Sequence, residues 1–331
     1  MKSNRHARYS VRPAGEMKLN VFTNEQQLEF WVTSFATSHI GMSAIRDRII
    51  DGCGNLASGA NLINRGIKLP SYWPGDDVGK DEVFPDEDTA GRQIYRIGYT
   101  MVSFTTLGGA LAAYLSIQGS SGVDSTMILT EQEHMACFAI ASLSQAASIA
   151  SLFNASPLSL MPGFQQAESD GNGSVVSAGG ANGQATIAGL QRNDSLKFEP
   201  KGLTRITRHP LILPVVPWGI STSYLAGGRF SDFILFGGLA VYALAGCACQ
   251  DLRIIRKEGS VGTVFRPSSS EVGMKLDSFF ANTSFVPFAA VLDGRQSMGG
   301  VLREFPLFPF IVGIPIGMLI EDTLLQWLHQ L

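Results

Sequence analysis

Charge, histidine and patterned cysteine are all scarce in this chain. Only 16% of its 331 residues are charged, and the formal net charge is −3. No basic surface is left over for a nucleic-acid backbone, which excludes that class of partner. The four cysteines, Cys53, Cys137, Cys247 and Cys249, form neither a CxxC pair nor a Cys/His metal spacing. Cys247 and Cys249 lie inside an apolar run and read as small packing residues. No GxSxG elbow, Gly-rich phosphate loop or internal repeat is present, so hydrolase, nucleotide-binding and solenoid readings lose their usual signatures. No signal peptide is visible. Residues 1–24 carry five basic side chains and one acid, as a basic tail or the remnant of a targeting segment would.

What the chain does have is apolar length. Hydrophobic residues make up 45%, with 20 Phe and 36 Gly. Six runs approach the length a bilayer core demands: Leu28–Ile45, Ile94–Ile117, His134–Met161, Leu211–Ala226, Phe230–Cys249 and Phe305–Leu328. The fourth is short and carries Pro214 and Pro217, which predict a kink. Placing the intervening segments on alternating sides puts 46–93, 162–210 and 250–304 together, and these hold most of the Lys and Arg. The opposite loops, 118–133 and 227–229, hold only Arg229. That asymmetry is the positive-inside pattern. The basic tail falls on the wrong side, a conflict that vanishes if it is processed away. The expected fold is therefore all-α, a polytopic membrane bundle of about six helices over residues 25–328. Two polar inserts interrupt it. Residues 65–91 are rich in Pro, Gly and acid; residues 165–195 are Gly, Ser, Asn and Gln, too polar to fold and expected to be disordered.

Chemistry has few carriers. Glu321 and Asp322 lie near the end of the last run and read as interfacial. Of five histidines, His6 and His329 are near the ends and read as solvated. His39 lies in the first run, His134 opens the third and His209 opens the fourth. A histidine inside a membrane is costly without a partner, a proton or a metal. His39, six residues before Ile45, sits about 9 Å inside the charged face at 1.5 Å per residue. His209 lies at that face and His134 at the other. His39 and His209 are thus candidate ligands of one metal or heme, and His134 is an interfacial residue. For His39 the alternative is a hydrogen bond to a neighbouring helix. For His209 it is a headgroup-level position beside Arg208. Arg205 and Arg208, three apart, are expected on one helix face, where they would hold carboxylates such as heme propionates, or lipid headgroups.

Two stretches are distinctive. Arg205-Ile-Thr-Arg-His-Pro210, with Trp218 eight residues on, resembles the NnrU family of membrane proteins. Thr283-Ser-Phe-Val-Pro-Phe-Ala-Ala-Val-Leu-Asp-Gly-Arg-Gln296 is similar to the corresponding segment of that family's plastid and cyanobacterial branch, the 15-cis-zeta-carotene isomerases. Ser38-His-Ile-Gly-Met-Ser-Ala-Ile-Arg46, His134 with Phe153-Asn154, and Gly246 with Asp251 also fit the branch. The resemblance implies an integral membrane enzyme of the plastid that carries heme b. It would turn the central 15-cis bond of 9,15,9′-tri-cis-zeta-carotene to trans, with the carotenoid and membrane lipid as its partners. It further implies His39 as a heme ligand. The family's second ligand, in its fourth span, falls on Thr222, and its fifth-span His-His falls on Tyr242-Ala243. His209 as replacement, a five-coordinate iron and loss of the heme are the three ways this departure resolves. A non-catalytic relative binding carotenoid or a membrane protein partner is the alternative reading. A nitrogen-oxide-linked member of the family is a third, disfavoured by the 283–296 segment.

Overall fold

The computed structural model describes residues 23–63, 86–120, 127–154, 156, 164–166, 186–187, 190–192, 198–256 and 270–330. Most of the basic tail and of both inserts lies outside them.

The architecture is a helix bundle, as the apolar runs predict. Thr23 opens α1 (Asn24–Ala44) and Thr130 opens α4 (Glu131–Ser151), each through a reciprocal cap with the residue three on, Gln26 and Glu133. After α1 the chain bends at Ile45 into α2 (Arg46–Gly59), and α3 (Glu87–Ser120) packs along both. The helix α3 begins inside the stretch assigned to the first insert, because Asp86, Glu87 and Asp88 supply an acidic first turn. Beyond the second insert come a 3₁₀ turn (Gly202–Arg205) and α5 (Val215–Leu225). One long helix then runs Phe230–Ile255, made of α6 (Phe230–Asp232), a π-turn (Phe233–Gly237) and α7 (Gly238–Ile255). It is followed by α8 (Ser270–Asn282), the short α9 (Ala289–Leu292) and α10 (Met298–Glu304), and finally α11 (Leu307–His329).

All six apolar runs carry helix, and among the described residues three helices are by themselves long and apolar enough to cross a membrane: Ala90–Gln118, Phe230–Ile255 and Leu307–His329. The other three runs fall short of that measure for two physical reasons. The helix α5 has 11 residues, about 16 Å of rise against about 30 Å of hydrocarbon. Prolines 210 and 214 delay its start past Leu211. The helices α1 and α4 are diluted by Gln, Ser, Thr and Glu. The long helices turn Phe104, Val241, Phe308 and Leu319 outward, as a lipid-facing surface requires.

Contacts between helices rely on small residues. A Cβ on Gly317 would fall 2.5 Å from the Ser142 carbonyl, and one on Gly219 2.4 Å from the Phe236 carbonyl. Such close backbone approach is how helices associate where lipid removes the hydrophobic driving force.

Within the second insert, where composition predicts no structure, three short antiparallel strands pair: β1 (Phe164–Gln166), β2 (Thr186–Ile187) and β3 (Leu190–Arg192), in the order β1-β3-β2. Backbone ladders need no apolar face, so a polar composition does not prevent them.

Candidate functional site

The two distinctive stretches, about eighty residues apart in sequence, are one unit in space. Residues 202–214 form the 3₁₀ turn and a run of turns leading to α5. Residues 283–297 wrap against them. Arg208 N donates to the Ser284 carbonyl at 2.9 Å, and Phe288 N to the Ile206 carbonyl at 2.8 Å. Thr207 Oγ1 donates to the Phe285 carbonyl at 2.9 Å. Phe288 holds a left-handed φ of 64°, rare for a bulky residue, which the bond to Ile206 helps to fix. On the other side, the Asn154 carboxamide accepts from Leu203 N at 3.2 Å. Gly202, at φ +55°, passes so close that a Cβ would meet Asn154 Oδ1 at 2.4 Å.

Arg205 does not share a helix face with Arg208, because the 3₁₀ turn ends at Arg205. Its guanidinium grips Glu304 with two bonds of 2.8 Å and also donates to Gln296 Oε1. The Glu304 carboxyl is held below its ordinary value chiefly by the Arg205 hydrogen bonds, against a smaller opposing effect of burial. A depressed carboxyl contributes stability that is complete above its unfolded value, near 4.5, and lost as pH falls through the lower folded value. Wild-type protein should therefore lose thermal stability on acidification below that range more steeply than Glu304→Gln. Parallel curves for the two proteins would remove this pair as a determinant.

Arg208 and His209 converge on Asp251 near the end of α7. His209 Nε2 lies 2.7 Å from Asp251 Oδ1, and Arg208 Nη1 lies 3.3 Å from Oδ2. Arg208 also stacks over Phe280 at 4.4 Å and donates to the Thr283 carbonyl. Burial lowers its pKa from the ordinary arginine value, opposed by Asp251. His209 is buried beside a narrow cleft lined by Ser151, Asn154, Ser156 and Leu211. Both arginines expected to hold propionates or headgroups are thus engaged by protein acceptors.

His39 sits in a different setting. Its Nε2 meets Ser103 Oγ of α3 at 2.9 Å, the bond to a neighbouring helix that its sequence position allowed. Phe35, Tyr99 and Tyr242 pack around its ring, with centroids at 4.2, 4.7 and 5.7 Å. Its Nδ1 is buried with no hydrogen-bond partner. The Phe35 carbonyl lies one turn back. It already accepts the Ser38 hydroxyl and makes no bond of proper geometry with Nδ1. The structure does not bring His39 and His209 onto one metal. They meet α7 at Tyr242 and Asp251, nine residues apart, which is about 13 Å of helix rise, whereas a shared metal needs both nitrogens within about 2 Å. Among the described residues no group of three or more His, Cys, Asp and Glu is placed to hold a metal. His134 lies exposed in the first turn of α4, and the capping there is done by Thr130 and Glu133.

Sequence reasoning missed two buried carboxylates. Glu321, expected at the interface, is fully buried between α4, α5 and α11. It accepts from Trp218 Nε1 and Gln145 Nε2 at 2.9 Å each, and from Thr222 Oγ1 at 2.7 Å. Its neighbour Asp322 is the one that faces outward, paired with Gln326. Asp232 is fully buried as well, accepting from Tyr114 at 2.7 Å, from Gln118, and from the Arg229 backbone and side chain. The only advance signal for Glu321 was an acid inside an apolar helix with no cation at helical spacing, which predicts neutral donors on neighbouring helices.

Residues 86–331 match the family described as NnrU protein. No curated protein and no solved structure matches the chain. The match covers most of the chain and all of the residues above except Phe35, Ser38 and His39, so the protein belongs to the NnrU family.

Proposed function

We propose that this NnrU-family chain is a membrane-embedded, heme-dependent isomerase that turns the 15-cis bond of 9,15,9′-tri-cis-zeta-carotene to trans in a plastid membrane. The observation that carries the reading is the joint fold of residues 202–214 and 283–297. The segment whose sequence resembles the carotenoid branch is bonded, backbone to backbone, to the Arg-His-Pro segment. A lipid-facing bundle also suits the substrate, because a long polyene partitions into hydrocarbon rather than water.

In this reading one residue, His39, would hold the heme iron. His39 keeps a buried, unpaired ring nitrogen, and the Ser103 hydroxyl at its other nitrogen would fix the ring's orientation toward a metal. Thr222 donates its hydroxyl to Glu321, and His209 holds Asp251, so neither supplies a second ligand beside His39. A ferrous iron held by one histidine would supply an open, electron-rich coordination position able to weaken a bound C=C. For their part, the chain's own residues fix the ring of His39 and surround it with aromatic faces that exclude water.

The direct test is expression in dark-grown bacteria engineered to accumulate 9,15,9′-tri-cis-zeta-carotene, with chromatographic separation of the isomers. Darkness matters because light isomerises the bond unaided. The 9,9′-di-cis product is expected. Its absence from well-expressed, membrane-inserted protein would overturn the reading. One observation favours a second reading, a non-catalytic relative that binds carotenoid: the Thr222 position is closed into the Glu321 network. Purified protein with bound carotenoid and no Soret band would support that reading.

A further inference from the structure

The segment between α8 and α11 presents an apolar surface that nothing else in the described chain covers. Val286, Phe288, Leu292, Met298 and Leu302 all point outward, with Leu292 85% and Leu302 73% exposed. The opposite side of the same segment is buried at Ala290, Gln296, Gly300 and Val301, where it docks on residues 202–209. The two helices within it have four and seven residues. At 1.5 Å per residue neither reaches across a bilayer core of about 30 Å.

From this geometry we propose that residues 286–302 lie in the plane of the membrane, with their apolar side chains in the acyl layer. Continuity identifies lipid as the occupant. The helix α10 ends at Glu304 and α11 begins at Leu307, whose neighbour Phe308 is 79% exposed on a helix long and apolar enough to span. The outward surface of 286–302 therefore runs into the lipid-facing surface of α11. Charge agrees with this placement. Asp293, Arg295, Arg303 and Glu304 are interleaved with the apolar residues, as at a headgroup boundary. Arg295 is tied to Asp293 and to the Ala281 and Thr283 carbonyls, so the segment is anchored and not a free loop. The segment also belongs to the side rich in Lys and Arg, the side that faces anionic lipid. An apolar side with interleaved charge, too short to span, is the signature of an interfacial element. The inference is independent of the isomerase reading, since it needs only the orientation of α11.

The test places nitroxide labels at Leu292→Cys and Leu302→Cys, with Cys53, Cys137, Cys247 and Cys249 replaced by alanine. The full chain is reconstituted into phosphatidylcholine–phosphatidylglycerol vesicles. Leu319→Cys, on the outer face of α11, reports lipid, and Lys201→Cys, at an exposed position beside Glu199, reports water. Labels at 292 and 302 should collide with oxygen in preference to a water-soluble nickel chelate, in the same sense as 319 and opposite to 201. Preference for the nickel chelate would overturn the proposal in favour of an aqueous loop. Exclusion of both reagents would overturn it in favour of a protein or a second copy covering the surface. A variant that keeps the native cysteines, Leu302→Trp, reads the same question. Its added emission should be quenched by lipids brominated on their chains, and unquenched emission would equally overturn the proposal.

Discussion

Glu321→Ala should be among the most destabilising single changes in this protein. The substitution removes one acceptor group that satisfies three donors on two other helices: Gln145 on α4, and Trp218 and Thr222 on α5. All three would be stranded in an apolar bundle. A buried donor left without an acceptor costs about 1 kcal/mol or more, and interhelical bonds within membranes average about 0.6 kcal/mol. The three together therefore place the loss at about 2–3 kcal/mol, before the cavity left by the side chain is counted. Glu321→Gln keeps the shape and one carbonyl oxygen. It presents an amide N–H₂ where the protein offers only donors, so its loss should fall between wild type and alanine. Denaturant titration of the purified protein, followed by helical circular dichroism, orders the three. Equal midpoints for wild type and Glu321→Ala would show that the carboxylate does not tie α4, α5 and α11 together. A Glu321→Gln variant weaker than Glu321→Ala would show instead that the cost lies in the introduced donor.

The same residue marks where reading the chain alone stops. Apolar length and capping residues suffice to locate α1, α3, α4, α5, α7 and α11, because each run buries or shields its own backbone and Thr23 and Thr130 announce two starts. They also single out the segments 205–210 and 283–296. The docking of those segments on one another is not legible, because it runs through backbone bonds such as Phe288 N to the Ile206 carbonyl that carry no side-chain signature. Glu321 was misplaced for a related reason. Periodicity along one helix gives depth only roughly and says nothing of which helix lies opposite, and the three donors to Glu321 are 99, 103 and 176 residues away. The separate surroundings of His39 and His209 are illegible for the same reason. Residue spacing puts His39 about 9 Å deeper than His209, and they reach α7 at Tyr242 and Asp251, two turns and more apart, but which side chains surround each is set by other helices.

His39→Ala should abolish the Soret absorbance of protein purified with heme. In the proposed reading His39 would be the one residue to hold the iron, and no other imidazole or thiolate among the contacts of this pocket stands ready to replace it. Its walls are Phe35, Tyr99 and Tyr242, and its nearest polar neighbour is the Ser103 hydroxyl, a poor iron ligand. The fold should survive, since the substitution removes one interhelical hydrogen bond and leaves the α1–α3 contact at Trp31 and Gly109 intact. Loss of the band with retained helicity is therefore the expected pair of readings. His209→Gln should keep the band, because that ring is committed to Asp251 in another part of the bundle. Thr222→His is the discriminating partner experiment. The new imidazole would replace the hydroxyl that bonds Glu321, so a spectrum identical to wild type is expected if that position faces the carboxylate and not the iron. Conversion to a six-coordinate low-spin spectrum would place residue 222 opposite His39 across the heme, and the one-ligand reading would fall. An unchanged Soret band in His39→Ala would remove His39 from the iron altogether.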